Sequence, residues 1–138
     1  MLREEKNWRL SKDFKKGKYC FLIGANNWAI ELQKSEFYLL YLLLIRLNEQ
    51  LLAITNQLMD EELISLEIEQ LPWYIELEGK KNEWDLRLIF ESQEHTRSFE
   101  MYWPIPIAQN LFYELKKMWE SMDLKINKIG NFFKTIPV

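Results

Sequence analysis

The pattern of apolar and polar positions divides the chain into two blocks of strands, each followed by a helix. In the first block, the apolar segments 19–23 and 28–32 have the length of strands and flank a Gly-Ala-Asn-Asn turn, which predicts a hairpin. A shorter apolar segment, 8–10, is a candidate edge strand. Ser35 then suits the N-cap of a helix reaching about residue 59, because its hydroxyl can accept from an unpaired N–H of the first turn.

This first helix carries more apolar surface than one sheet can cover. Residues 37–45 are apolar on every side, whereas the remainder has a single apolar stripe. A helix on the surface of a domain shows only one such stripe, so an all-round apolar stretch indicates burial on more than one side. The sheet covers one side, and a second copy of the chain is the candidate for the other. The pattern therefore predicts a homodimer.

In the second block the apolar period changes from helical to alternating. Four segments alternate between apolar and polar residues and are separated by turn-forming residues: 64–69, 73–78, 84–90 and 97–103. Short connections between alternating strands predict an antiparallel meander. A second, amphipathic helix follows Pro106, a residue that suits the first turn of a helix.

The order of strands, helix, strands and helix predicts an α+β fold with antiparallel sheets and two helices on one face. It is a strands-then-helix unit used twice. The 138 residues favour a single domain whose core needs no metal or disulfide. We assign residues 1–124 to this domain and residues 125–138 to a basic C-terminal tail.

The composition favours a cytoplasmic protein. A single cysteine cannot form an internal disulfide, which fits a reducing compartment. The longest apolar run has nine residues, against about 20 for a bilayer span. The N-terminus also lacks the apolar core of a secretory signal. We therefore expect no membrane partner.

The net charge of −3 is unevenly distributed. Residues 1–20 hold seven basic and three acidic side chains, residues 21–110 hold six and fifteen, and residues 111–138 hold five and three. Seven of the eight polar positions on the alternating strands are acidic: Glu31, Glu67, Glu69, Glu76, Glu78, Asp85, Arg87 and Glu100. If they share one face, that face repels phosphate, which argues against nucleic-acid binding there.

Asp60, Glu61 and Glu62 form an acidic cluster at the predicted C-terminal end of the first helix. Acidic side chains oppose the helix dipole at this end, so the cluster stands in an unfavourable place. Three interpretations are open: a solvated turn, a contact for a protein partner and a site for a hard metal ion. Of these, we take the partner contact as the candidate binding site.

A second candidate site lies near the N-terminus. Lys16 and Lys18 flank a glycine and precede Tyr19, so the lysines could hold a phosphate backbone while Tyr19 or Trp8 stacks on a base. Arg9 completes this candidate nucleic-acid site. The alternative is a solvated approach to the first hairpin.

The chain shows no catalytic or metal-binding motif. His95 and Cys20 are the single representatives of their types, whereas a metal site requires several such ligands at set spacings. We interpret His95 as an exposed turn residue and Cys20 as a core residue. A glycine-rich phosphate loop is also missing. We therefore expect neither an enzyme nor a cofactor-binding protein.

Several strings resemble an uncharacterised cyanobacterial family, domain of unknown function 1818. They are Trp-Ala-Ile-Glu-Leu at 28–32, Leu-Met-Asp-Glu-Glu at 58–62, the segment 73–79, Arg87 and the segment 97–103. The resemblance spans about residues 7–122. It implies no catalytic residues, since the family has no assigned activity.

The same resemblance implies a fold similar to that of the Whirly single-stranded-DNA-binding regulators, with helices used in dimer packing. The DNA-contacting strand of Whirly proteins carries Lys-Gly-Lys-Ala-Ala-Leu. Residues 16–18 match the start of that string, whereas residues 19–21 differ from it.

Two functions remain. The first is a non-enzymatic regulatory or assembly domain, a homodimer that recruits a protein partner through residues 60–62 and the acidic sheet face. The alternative is a single-stranded nucleic-acid binder that resembles a transcriptional regulator and uses the N-terminal site. The acidic body of the chain favours the first function.

Overall fold

The protein consists of four strands and a helix, followed by four more strands and a second helix. The computed structural model describes residues 2–5 and 7–130, with side chains for residue 2 and residues 7–122. The first half comprises β1 (Leu2–Glu5), β2 (Trp8–Lys12), β3 (Phe21–Gly24), β4 (Ala29–Leu32) and α1 (Lys34–Thr55). The second half comprises β5 (Ile64–Gln70), β6 (Trp73–Lys80), β7 (Glu83–Glu91), β8 (Ser98–Trp103) and α2 (Ile107–Gly130).

The strands form two antiparallel sheets, each a meander with neighbours in chain order: β1-β2-β3-β4 and β5-β6-β7-β8. This confirms the predicted α+β fold, the antiparallel pairing and the two helices. The expectation that the strand at Trp8 is an edge was wrong, because β1 pairs on its outer side. Strand β1 was missed because its sequence, Leu-Arg-Glu-Glu, has one apolar residue, and charged side chains are typical of sheet edges.

Both sheets and both helices contribute to one core. Helix α1 packs against β5, β6 and α2, while α2 also contacts β2 and β7. The largest fully buried side chains of this core are Trp73, Trp103, Phe21, Phe37 and Phe90. Trp103 joins the two sheets directly: its ring centroid lies 5.4 Å from that of Trp28, and its indole N–H donates to the Gly24 carbonyl at 3.3 Å.

Helix α1 starts and ends earlier than the sequence suggested. Its N-cap is Gln33 rather than Ser35, and the Gln33 backbone N–H donates to the Glu36 carboxylate at 2.8 Å. A glutamate at this position also lies favourably at the positive end of the helix dipole. The helix ends at Thr55 rather than near residue 59, since the chain turns at 56–58.

The two sides of α1 differ in burial. One side is in the core and contains Phe37, Leu40, Leu43, Leu44, Leu47 and Leu51. The opposite side is more exposed and mixes apolar with polar residues: Tyr38 and Leu52 are 43% and 62% exposed, and Arg46, Glu49 and Gln50 are exposed as well. By length and composition α1 could cross a membrane, although such helices also occur as core helices of globular domains. This second side is covered in part within the described chain, since Tyr38 stacks on Trp119 of α2 with ring centroids 4.8 Å apart and Ile45 packs against the core.

Helix α2 has the predicted apolar stripe. The buried residues are Ala108, Leu111, Phe112, Leu115, Met118, Trp119 and Met122. The helix continues to Gly130, which places 125–130 in a helix rather than beyond it. The rest of the tail, residues 131–138, lies outside the described residues.

Candidate functional site

A cleft between the two sheets is built around the ion pair of Arg97 and Glu36. Arg97 Nη1 donates to both carboxylate oxygens of Glu36, at 3.1 and 3.0 Å, while Nη2 donates to the Glu31 carbonyl at 2.6 Å. The guanidinium carbon also lies 4.8 Å from the ring centroid of Tyr19 and 5.0 Å from that of Phe90. One arginine at the start of β8 therefore holds β4, the N-terminus of α1 and the β2–β3 connection.

The turn between β7 and β8 positions this arginine. The hydroxyl oxygen of Ser92, which is 9% exposed, accepts hydrogen bonds from the backbone N–H groups of Thr96 at 3.2 Å and Arg97 at 3.0 Å. His95 adopts a left-handed conformation with φ of 56°, and its Nδ1 lies 2.6 Å from Glu91 Oε1. As predicted, His95 is an exposed turn residue.

The cleft has a volume of about 370 Å³ and a mixed polar lining that includes Lys18, Tyr19, Ser35, Ser92 and Arg97. Arg97 and Ser92 are engaged in the bonds that hold the cleft together, which leaves Lys18 as its exposed basic side chain. Among the described residues, the Ser92 hydroxyl of the cleft bonds to Thr96 and to the Arg97 backbone N–H and not to a histidine or carboxylate, the partner that an activated nucleophile would have. Within the described part of the chain, no three His, Cys, Asp or Glu side chains form a metal-binding group.

The structure separates the residues of the predicted nucleic-acid site. Trp8 lies in the core at 4% exposure, which leaves little of its ring available for stacking on a base. Arg9 follows it at the start of β2, opposite Glu4 in the sheet register. Lys16 and Lys18 remain together after the end of β2. Lys16 Nζ lies 3.7 Å from Glu31, and Lys18 Nζ lies 5.8 Å from the Tyr19 ring centroid.

The acidic cluster at residues 60–62 is largely neutralised by neighbours. Asp60 and Glu61 each lie 2.8 Å from a lysine of the β6–β7 hairpin, Lys81 and Lys80 respectively. Glu62 accepts a hydrogen bond from the Met59 backbone N–H at 3.3 Å. We expected this cluster to oppose the dipole of α1 at its last turn. Because α1 already ends at Thr55, the cluster lies beyond that turn and the expectation was wrong.

The outer face of the second sheet carries a cluster of charged side chains. Six acids and one arginine alternate with the buried residues of β5–β8: Glu67, Glu69, Glu76, Glu78, Asp85, Arg87 and Glu100. We call these seven residues the acidic sheet face. Glu31, grouped with them in the sequence analysis, lies on β4 of the other sheet, so that part of the grouping was wrong.

Two tyrosines of this face hold its carboxylates in place. The Tyr74 hydroxyl lies 2.8 Å from Glu67 and 2.7 Å from Glu76, and the Tyr102 hydroxyl donates to Asp85 at 2.9 Å. The hydrogen bond to Glu76, followed by that to Glu67, raises the pKa of Tyr74 above its usual value. The hydrogen bond to Asp85 likewise raises the pKa of Tyr102. Both phenols therefore stay neutral at physiological pH.

Sequence reasoning missed these tyrosines. The signal that could have found them is the alternation of the strands, which places Tyr74 on the same face as Glu67 and Glu76, and Tyr102 on the same face as Asp85. Side chains on one face of neighbouring antiparallel strands lie within reach of each other, diagonally as well as directly opposite.

Comparisons with known proteins agree with this architecture. The family model described as domain of unknown function (DUF1818) matches residues 3–118. The chain belongs to the DUF1818 family. A crystal structure of a Prochlorococcus sp. NATL2A protein, described as having unknown function and as coming from the DUF155 family, is 36% identical. It superposes with a TM-score of 0.79 over 86% of this chain and 98% of its own.

A search of curated proteins gives no match. The family model and the Prochlorococcus structure both carry an unknown function, and neither supports the resemblance to Whirly proteins. The arrangement of side chains in this DUF1818 domain must therefore supply the functional argument.

The Arg97–Glu36 pair predicts a large effect on the stability of the DUF1818 domain. The two side chains are only 20% and 12% exposed, so Arg97→Met leaves a poorly hydrated carboxylate without its partner. We expect a loss of about 3 kcal/mol in the free energy of unfolding, measured by urea denaturation. Glu36→Gln combined with Arg97→Met should lose less, because the neutral amide needs no counter-charge.

Arg87→Met is the matched control for this prediction. The Arg87 side chain is 51% exposed and its Nε lies 3.8 Å from Glu100, so we expect a loss below about 1 kcal/mol. Equal losses from Arg97→Met and Arg87→Met would contradict the role assigned to the Arg97–Glu36 pair.

The contacts of Asp60 predict a pH dependence. The hydrogen bond from Lys81, aided by its charge, lowers the pKa of Asp60 below 3.8. Because the pKa of Asp60 is lower in the folded than in the unfolded protein, its contact with Lys81 stabilises the fold above pH 3.8. This stabilisation is lost as the pH falls through the pKa that Asp60 has in the folded protein. In Lys81→Ala the Asp60 carboxyl should titrate at higher pH, as observed by carbon-detected NMR. Lys80→Ala, which removes the partner of Glu61, should leave Asp60 unchanged; an unchanged Asp60 titration in Lys81→Ala would refute the pairing.

Proposed function

We propose that this DUF1818 protein is a cytoplasmic, non-enzymatic interaction domain that binds a basic segment of a partner protein on its acidic sheet face. The observation that carries the proposal is the clustering of six carboxylates and one guanidinium on one face of β5–β8, which neither helix covers within the described residues. Both helices pack on the side where the sheet contributes to the core. The charged side thus remains available to a partner.

The bonding of this face leaves its negative charge incompletely compensated. The Tyr74 hydroxyl has one proton but two carboxylate neighbours, Glu67 and Glu76, so it can donate to only one of them at a time. A lysine ammonium or an arginine guanidinium has several donors and a positive charge, and could satisfy both carboxylates. This pair is therefore suited to a basic side chain of a partner.

A shallow depression lies beside that pair. It has a volume of about 210 Å³ and is lined by Glu76, Glu78, Asp85, Arg87 and Tyr102. Tyr102 is 49% exposed and offers an aromatic surface next to the carboxylates. An aromatic ring beside acidic groups also favours a cationic side chain, through its π face. Together, the depression and the carboxylate pair of Glu67 and Glu76 suit an extended segment that contains lysine or arginine.

The alternative function, binding of single-stranded nucleic acid, has narrower support. Lys18 and Tyr19 line the inter-sheet cleft, where a phosphate and a base could be accommodated. Trp8 is buried and Lys16 is close to Glu31, so two of the five candidate residues are less available than the sequence suggested. The resemblance to Whirly single-stranded-DNA-binding regulators, noted from the sequence, would apply to this alternative and not to the interaction domain.

We include a homodimer in the proposed function. The support is the outer side of α1, where Leu52 and Ala53 are exposed and Leu42 is only partly buried, whereas the opposite side of the helix forms part of the core. Exposed apolar surface of this kind on a small domain is typical of an interaction site. A wild-type molar mass of one chain in light scattering would remove the dimer from the proposal.

The acidic sheet face predicts a charge-dependent binding experiment. Fluorescence anisotropy of a labelled oligolysine peptide should show binding that weakens as salt is added. Glu78→Lys on β6 should weaken it by about threefold to tenfold. The matched control is Glu94→Lys, an equal change of net charge in the β7–β8 turn, which should bind as the wild type does.

A labelled oligothymidylate distinguishes the two functions in the same assay. We expect little binding of it at low salt. If Glu78→Lys and Glu94→Lys weakened oligolysine binding equally, binding would depend on the net charge of the protein and not on the acidic sheet face. If the protein bound oligothymidylate more tightly than oligolysine, and Lys18→Glu abolished that binding, the nucleic-acid alternative would replace our proposal.

A further inference from the structure

The exposed side of α1 forms a continuous stripe along the helix. Tyr38, Leu42, Ile45, Glu49 and Leu52 follow one another at intervals of four, three, four and three residues, the spacing of one helix face. We call this stripe, together with the adjacent Arg46 and Ala53, the outer face of α1. Its ends, Tyr38 and Leu52, are 43% and 62% exposed, and Leu42 is partly buried. Tyr38 also stacks on Trp119 of α2 at 4.8 Å and Ile45 packs against the core, so the freely exposed apolar part of the stripe lies at Leu52 and Ala53.

Two opposite charges interrupt this apolar stripe. Arg46 and Glu49 are the only charged residues of α1 beyond its first turn, and both are exposed. They lie three residues apart near the middle of the helix. Neither has a hydrogen-bond or ion-pair partner among the described residues. Within the described residues, the face therefore has apolar side chains on either side of one unpaired positive and one unpaired negative side chain.

We infer that the outer face of α1 is the surface on which two copies of this chain pair, with the two helices antiparallel. This inference rests on the homodimer of the proposed function and specifies how the copies meet. A two-fold axis between Arg46 and Glu49 places each arginine opposite Glu49 of the partner subunit. The same patch thus complements itself twice, as an isologous interface requires.

The apolar positions support the same register. Leu42 lies as far before the proposed axis as Ala53 lies after it, about 8 Å along the helix. Leu42 therefore meets Ala53 and Leu52 of the partner subunit, so that a large side chain packs against a small one. A parallel pairing would instead set Arg46 against Arg46 of the partner subunit and Glu49 against its copy, which costs free energy through like-charge repulsion.

The ends of α1 extend the apolar surface in this arrangement. Met59 and Leu63 follow the C-terminal end of the helix and are 77% and 78% exposed. Antiparallel pairing brings this end beside the N-terminal half of the other α1, where Tyr38 is exposed. Apolar residues at both ends with a charged pair at the centre resemble a coiled-coil contact whose register is set by polar residues.

Charge reversal tests the pairing. Light scattering and sedimentation over a range of concentrations should show a dimer for the wild-type chain. Arg46→Glu and Glu49→Arg should each raise the dissociation constant by about tenfold or more, because each sets like charges against one another. Arg46→Glu combined with Glu49→Arg restores opposite charges and should return the dissociation constant to near the wild-type value.

Arg87→Glu is the matched control, because it reverses the charge of an exposed arginine on the acidic sheet face and not on α1. It should leave the dissociation constant of the dimer unchanged. Circular dichroism checks that each variant keeps its helices. A wild-type dimer that neither single variant weakens would overturn the register and leave the dimer of the proposed function intact. A double variant as weakly associated as the single ones would also overturn it.

Other occupants of the same face give different results. If the full chain is a monomer and a chain without residues 131–138 dimerises, the tail covers the face. If the wild-type chain is a monomer that sediments with phosphatidylcholine vesicles, a lipid surface covers it. Either result would overturn the inference together with the homodimer, whereas oligolysine binding to the acidic sheet face would stand independently.

Discussion

The ion pair of Arg97 and Glu36 is the contact on which the arrangement of the two halves depends. Glu36 uses its carboxylate for Arg97 and for the Gln33 backbone N–H, and its carbonyl accepts from the Trp73 indole at 2.9 Å. Arg97 in turn reaches the Glu31 carbonyl of the first sheet. A partly buried ion pair of this kind adds little net stability relative to an apolar contact, but loss of either partner is costly. Its main contribution is therefore to specify one arrangement.

That arrangement also decides which surfaces remain exposed. With α1 fixed at its N-terminus between the sheets, its Phe37–Leu51 side faces the core, and the opposite side exposes Arg46, Glu49 and Leu52. The second sheet contributes its aromatic and aliphatic face to the same core, so its carboxylates point to solvent. The acidic sheet face and the outer face of α1 are thus two consequences of one packing arrangement. They lie on different elements and can serve two partners at once.

The second sheet was predictable because its strands alternate and its turns are short. Alternation sets which side chains face the core, and a shift by one residue would bury the charges. Other features depended on contacts that the local sequence does not show. The end of α1 at Thr55 is hidden because Leu58 continues the apolar period, and the lysines that neutralise Asp60 and Glu61 come from a hairpin about twenty residues later. Trp8 was mistaken for an edge residue because β1 carries little apolar pattern.

The central claim is that the Arg97–Glu36 pair makes the two sheets one cooperative unit, and native-state hydrogen exchange tests it most directly. In the wild-type chain, backbone amides of β3 and β6 should exchange with the same opening free energy. In Arg97→Met the account predicts that β3 loses protection at a lower free energy than β6, because the first sheet separates from the second. Equal protection of β3 and β6 in that variant would contradict it.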